Sequence, residues 1–455
     1  MPERLVNVDR DTPMMLPPDM RDWVGEDHPV HFYIAAVDEL DLSALKVNRR
    51  GSGSPQYPPR MMLTLVLYCY SHGLLSSRKI EKATYENLAV RYLTGDTHPD
   101  HDTICTFRAE NGEAIRQAFV GMGKLAQRLE ILKLGTVSVD GTHIKANASK
   151  HKSLRYDRIR ELEAKLEADI ADLLEQARSA DSSENDSEHK LPKEVRRRQA
   201  LRRRLQDAKA ELEAQHAEAN EPDNDSDDDH KGSDDGGSRK VCSESTPPDS
   251  AQINLTDSDS RIMRKSRYDS YTQAYNAQAA FDADGTQLIL ATSVIQTPSD
   301  SGALEPAVEE VESTLGNVEK VVADTGYRNI EAIERLETGG TDAYVATGAG
   351  DHNWRRYDFR PPKKTAKREL KHPTLRAMRA LRAMREKIRS EAGRKIYSKR
   401  ARSAEAPFGT IKQTLGYRQF LRRGLKAVSE EWTLVCLAYN AKRLCALTGG
   451  RIPGQ

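Results

Sequence analysis

Three acidic residues on three separate segments carry the chemistry: Asp140, Asp324 and Glu405. Asp140 ends the apolar run Thr136-Val137-Ser138-Val139, and Asp324 ends Val321-Val322-Ala323. Glu405 stands just ahead of Phe408-Gly409-Thr410-Ile411-Lys412, in the most basic part of the chain. One aspartate at a strand end is commonly a turn cap. Two of them plus a third acid among cations can instead gather around divalent ions. Carboxylate oxygens suit Mg²⁺ or Mn²⁺. Two such ions can clamp the attacking and the leaving oxygens of a phosphodiester.

Other side chains fit a phosphate-bearing substrate. Tyr397, Arg400, Glu405 and Lys412 form a spaced set in which Arg400 and Lys412 can contact phosphate. Lys412 lies about two helical turns past Glu405 and shares its face if the helix continues through Pro407. Tyr397 can bond phosphate or pack as a core aromatic. Lys145 and Asn147, downstream of Asp140, suit contacts to a nucleic-acid backbone. Trp354 can stack on an unpaired base. His143 would point away from Asp140 in an extended strand, so it is a weak ligand candidate. Thr325-Gly326 supply a tight turn that lets phosphate or metal approach. Tyr275-Asn276 can meet the substrate or simply pack.

Charge supports a polyanionic partner. The 455-residue chain carries a formal net charge of only +1, but the average hides strong asymmetry. Residues 351–430 hold 24 Lys or Arg against 7 acids. Residues 218–235 hold 9 acids against one Lys. The basic stretch can neutralise phosphates locally. The five cysteines show no metal-like spacing, and Cys69 and Cys436 sit in apolar runs as core thiols. The first residues lack an apolar signal core and no run reaches a membrane-spanning length, so a cytoplasmic protein with no membrane partner is expected.

The elements that must position these residues follow from pattern. Residues 1–131 read as an all-helical domain suited to DNA binding. Helices are expected over 29–46 and 60–72, then from Ser76 as a cap, over 85–95, and over Thr103–Leu129 capped by Asp102. Residues 134–140 are a strand. Tyr271–Phe281 and Gln287–Val294 form a hairpin about Asp284-Gly285. Gly302–Leu315 is a helix, Val318–Ala323 a strand, Asn329–Glu337 a helix and Ala343–Ala346 a strand. Strands alternating with helices give an α/β core over 132–149 and 256–350. Between its first two acids lies a helical hairpin insertion, 150–215, with apolar spacings of three and four from Ile159 to Leu173 and from Val195 to Leu212. An acidic, disordered linker is expected over 216–255, a basic helical insertion over 351–396, and C-terminal core helices with the third acid over 397–448.

As a set these motifs resemble the DDE-type insertion-sequence transposases, near the IS1182-like branch of the broad IS4/IS5 group. The resemblance rests on Tyr70, Gly73, Leu74 and Ser76-Ser77-Arg78, with Pro99-Asp100-His101 and Phe107-Arg108, in the helical domain. Val139-Asp140-Gly141-Thr142, Tyr275-Asn276-Ala277-Gln278 and Ala323-Asp324-Thr325-Gly326-Tyr327 continue it. Tyr397, Arg400, Glu405 and Lys412 complete it, although Arg400 precedes Glu405 by five residues where four is usual. The resemblance implies an RNase H-like catalytic core with two Mg²⁺ (or Mn²⁺) ions on Asp140, Asp324 and Glu405. It implies DNA contacts from Arg78, Arg108, Lys145, Trp354, Tyr397, Arg400 and Lys412. It also implies a homodimer that binds terminal inverted repeats, cuts at the element ends and joins 3′-OH ends to target DNA, in a nucleoid-associated setting. Two alternatives share the features: a metal-dependent DNA nuclease without strand transfer, and a catalytically silent DNA-binding regulator.

Overall fold

The computed structural model describes residues 19–46, 56–180, 191–218, 246–264, 268–348 and 375–452. Six helices come first: α1 (Pro29–Asp38), α2 (Pro59–Ser71), α3 (Ser77–Glu86), α4 (Leu88–Thr94), α5 (His101–Glu110) and α6 (Gly112–Arg128). α1 stops eight residues short of the expected end. Asp100, rather than Asp102, caps α5 by accepting from the Thr103 amide at 2.6 Å. The expected long helix is broken at Asn111, whose side-chain oxygen accepts from the Lys46 amide at 2.8 Å and whose side-chain amide donates to the Phe107 carbonyl. Gly112 follows because a Cβ there would run into Glu430.

Strand β1 (Thr136–Lys145) leads into β2 (Ser153–Arg155), then the helical hairpin α7 (Tyr156–Ala180) and α8 (Leu191–Glu218). β3 (Gln252–Asn254), β4 (Arg261–Met263), β5 (Thr272–Asp282) and β6 (Ile289–Ile295) follow. Next come α9 (Leu304–Leu315), β7 (Lys320–Ala323), α10 (Ile330–Thr338) and β8 (Asp342–Val345). The chain ends in α11 (Leu375–Arg389), α12 (Glu391–Tyr397), α13 (Lys399–Gly409), a π-helical turn (Thr410–Thr414) and α14 (Leu425–Leu447). β3 falls within the stretch expected to be a disordered linker: Ile253 is buried against α7 and α8, so apolar packing orders that end. Residues 219–245 of the same stretch lie outside the described residues, as does Trp354.

The sheet order is β4-β5-β1-β7-β8, with β6 also paired to β5. β1–β5 and β5–β6 are antiparallel, whereas β1–β7 and β7–β8 are parallel. This mixed α/β sheet flanked by helices is consistent with an RNase H-like core. β7 and β8 are buried nearly throughout, as parallel strands covered on both faces require.

One hydrophobic core runs from the N-terminal helices through the sheet, with α14 between them. Thirteen residues of α14 are buried, among them Trp432, whose indole N–H donates to the Gln278 carbonyl at 2.9 Å. Asn440 accepts from the Ile289 amide at 2.8 Å and donates to its carbonyl at 2.7 Å. That paired amide satisfies the Ile289 backbone on the side of β6 away from β5, beside the register shift near Phe281. Among the described residues no helix is long and apolar enough to cross a membrane.

Candidate active site

β1 does not end at Asp140 as expected; it runs on to Lys145 because Thr142, His143 and Ile144 keep pairing with β5. Its parallel partner β7 does end there. Val139 is the last residue of β1 paired to β7, opposite Ala323. Asp140 therefore borders a notch left by β7, and Asp324 is the first residue beyond that strand's end. Parallel register alone thus brings these two acids together from 184 positions apart in the sequence. Asp324 accepts from the Gly326 amide at 2.7 Å, which caps the 3₁₀ turn Thr325–Tyr327 and fixes the carboxylate.

A third acid arrives from the loop after β6. Asp300 accepts from the side-chain amides of Asn276 and Gln278, each at 2.7 Å. A Cβ on Gly326 would lie 3.0 Å from oxygens of both Asp300 and Asp324, so the two carboxylates converge on that glycine. Asn276 and Gln278 face the same side of the sheet as Gly141, the residue paired with Gln278. Tyr327, fully buried, donates its hydroxyl to Gln278. Gly141 is required here, because its missing Cβ leaves room for the Gln278 amide and for the Asn276 oxygen at 3.0 Å. Gly141→Ala is expected to displace Gln278, lower the urea midpoint by about 1–3 kcal/mol of stability without changing the slope, and loosen Asp300. An unchanged midpoint would contradict the close packing.

α13 and the π-helical turn lie over the opposite face of β1, which carries Thr136, Asp140 and Thr142. Lys399 bonds Thr136 Oγ1 at 3.2 Å and pairs with Asp284. Arg400 Nη1 is 3.4 Å from Asp140 Oδ2, with both side chains mostly buried. Lys412 bonds Thr142 Oγ1 and, at 3.1 Å, the His143 carbonyl. The helix does continue through Pro407, and the wider π turn carries Lys412 back to β1. Tyr397 is buried beside this cluster. Its phenol is raised by burial and by the charges of Asp324 and Asp140, against Arg400.

The crowding is felt most at Asp140, whose carboxyl is pushed from 3.8 up to about 6. Burial is the largest cause; Arg400 and the Gly141 amide oppose it, and Asp324 and Asp300 add to it. Three carboxylates, one guanidinium and two tyrosines thus share one electrostatic neighbourhood.

The other expected residues are placed differently. Glu405 is exposed on α13, between Arg400 and Lys412, and makes no described contact with Asp140 or Asp324. Among the described residues no group of three His, Cys, Asp or Glu is drawn together in a metal-holding geometry. Arg108 turns inward: it donates to the Tyr70 hydroxyl at 2.6 Å, to the Leu75 carbonyl at 3.1 Å and to Ser77, holding α5 against α2 and α3. Arg78 and Lys145 are exposed. The Asn147 side chain donates to the Leu421 carbonyl at 2.8 Å. Tyr275 is buried, with its hydroxyl 2.7 Å from Asp257. Asp300 was missed because Thr297-Pro298-Ser299-Asp300 reads as a loop ahead of a helix. The available signal was Asn276 and Gln278, two amides in a strand otherwise reading as buried, which require a polar partner.

Two family models match the chain. Residues 18–110 match the Transposase domain (DUF772), and residues 359–445 match the Transposase DDE domain. The second match includes Tyr397, Arg400, Glu405 and Lys412, the segment laid over β1. No curated protein and no solved structure matches.

Proposed function

We propose, from a chain that carries a transposase domain in its first quarter and a transposase DDE domain in its last, that it is a DNA transposase of the IS1182-like kind. It cuts phosphodiester bonds at element ends and joins the resulting 3′-OH ends to target DNA. The observation that carries this is the convergence of Asp140 and Asp324 beneath the helix of the DDE segment.

The donor set fits divalent ions. Oxygen ligands of this kind suit Mg²⁺ or Mn²⁺, and the Asp140 carboxyl, raised by burial despite Arg400 and further by Asp324 and Asp300, is one that a bound cation would help to ionise. Asp140, Asp324 and Glu405 are the proposed ligands, with α13 bringing Glu405 in when DNA is bound. Two ions would supply activation of the attacking oxygen and stabilisation of the leaving one. The chain's own residues do the rest. Asn276 and Gln278 hold Asp300 behind Asp324 and stiffen that side of the notch. Arg400 balances Asp140 when DNA is absent and takes a phosphate oxygen when it is bound. Lys412, Tyr397, Lys145 and Arg78 are the proposed further DNA contacts. Two element ends must be paired, so the working form is a homodimer on the terminal inverted repeats.

A labelled end duplex incubated with Mg²⁺ and a target plasmid tests this. Cleavage followed by label on the plasmid is expected. Cleavage without joining would make the protein a nuclease, and binding without cleavage a regulator. Arg400→Ala is expected to weaken duplex binding and to reduce the salt slope by about one phosphate contact. An unchanged slope would place Arg400 away from phosphate.

A further inference from the structure

The helical hairpin α7–α8 is built around its own small core of Tyr156, Ile159, Leu166, Leu205, Ala208, Leu212 and Ile253. The two helices run antiparallel: Tyr156 bonds Glu213, Glu163 faces Gln206 and Lys209, and Asp169 faces Arg198. Across this inner seam charges are matched, with Arg198–Asp169 at 3.0 Å, Arg202–Glu167 at 2.8 Å and Lys209–Glu163 at 3.5 Å.

The outer face of α8 is not matched. Lys193, Arg196, Arg197, Arg203 and Arg204 are all exposed. At 100° per residue they fall within about one third of the helix circumference. Between Lys193 and Arg204 the only acid is Glu194, which reaches Arg197 at 3.6 Å and Arg198 at 3.3 Å. Among the described residues Lys193, Arg196, Arg203 and Arg204 have no acidic partner. A solvated helix ordinarily relieves such repulsion with acids three or four residues away. Here Glu194 reaches only Arg197 and Arg198, and Asp207, exposed on the same face three residues past Arg204 and four past Arg203, forms no ion pair with either among the described residues. The stripe is about 16 Å long, enough to meet several phosphates. Four of its five cations are arginines, whose planar fork matches phosphate oxygens.

We propose that the outer face of α8 is a DNA-backbone contact, separate from the carboxylate site, which holds duplex DNA by its phosphates without reading sequence. It rests on the transposase assignment for the identity of the polyanion. The hairpin's separate core lets the arm be altered without disturbing the sheet.

The test is the full chain with Arg196→Gln, Arg197→Gln, Arg203→Gln and Arg204→Gln combined. Its melting curve is compared with wild type, and its binding to two duplexes of unrelated sequence is measured by anisotropy over a range of salt. The expected result is an unchanged melt, at least tenfold weaker binding to both duplexes at low salt, and a salt slope smaller by about three. An unchanged slope overturns the proposal. So does loss of self-association in sedimentation with DNA binding intact, which would make the stripe an interface between copies. If the quadruple variant fails to fold, the pair Arg196→Gln and Arg203→Gln is read the same way. A wild-type chain that shows the slope difference but no Mg²⁺-dependent cleavage keeps the arm and removes the transposase assignment; a chain that binds no duplex removes both.

Discussion

Asp140→Asn is expected to abolish strand cleavage and, in the metal-free protein, to raise the melting temperature above pH 6. The two effects have one cause. Burial and the neighbouring Asp324 and Asp300 push the Asp140 carboxyl from 3.8 to about 6 despite the nearby Arg400. A carboxyl raised by folding supports the fold when protonated. That support is complete below pH 3.8 and is lost as pH rises through about 6. At pH 8 the wild-type protein therefore carries an ionised group that folding disfavours, by at most about 3 kcal/mol on the gap between those two values. Asparagine keeps the shape and removes the charge. Calorimetry at pH 8 should show the variant more stable than wild type, with the difference gone near pH 3.5. Mg²⁺ should stabilise wild type and leave the variant unmoved. A variant less stable than wild type at pH 8 would mean that Asp140 is well satisfied without any ion.

Asp324→Asn is expected to reduce cleavage on the order of a thousandfold while leaving duplex binding intact. The fold should persist, because the asparagine oxygen can still accept from the Gly326 amide. Removing this like charge should also bring the Asp140 carboxyl back toward 3.8, since Asp324 is one of the groups raising it. A gel assay of end cleavage reads the first effect, and the pH dependence of thermal stability reads the second. Retained cutting would remove Asp324 from the site.

The strand framework that brings Asp140 and Asp324 together is legible in the sequence. Val137-Ser138-Val139 and Val321-Val322-Ala323 are short, β-branched and end in acids, and burying both as neighbouring parallel strands forces Asp140 beside Asp324. The extension of β1 was hidden because Gly141, Thr142 and His143 interrupt the apolar pattern. They stay in the strand because β5 supplies a full ladder opposite them. The α5–α6 break was marked by Asn111-Gly112, but the apolar periodicity on either side masked it. Asp300 was signalled only indirectly, since Asn276 and Gln278 require a polar partner but nothing local shows which loop supplies it. Arg108 reads in the sequence as a DNA contact, and only its place under Tyr70 and Leu75 reveals that its donors turn inward. Chain-wide neutrality concealed the α8 stripe, because the matched seam and the unmatched face belong to the same helix.

The most direct test of the central claim is a structure of the protein with Mn²⁺ and a terminal-repeat duplex, with the metal located by anomalous scattering. Metal peaks held between Asp140 and Asp324, with the Glu405 carboxylate drawn in from α13, are the predicted result. Peaks that avoid these carboxylates, or Glu405 left in solvent with DNA seated in the notch, would contradict it.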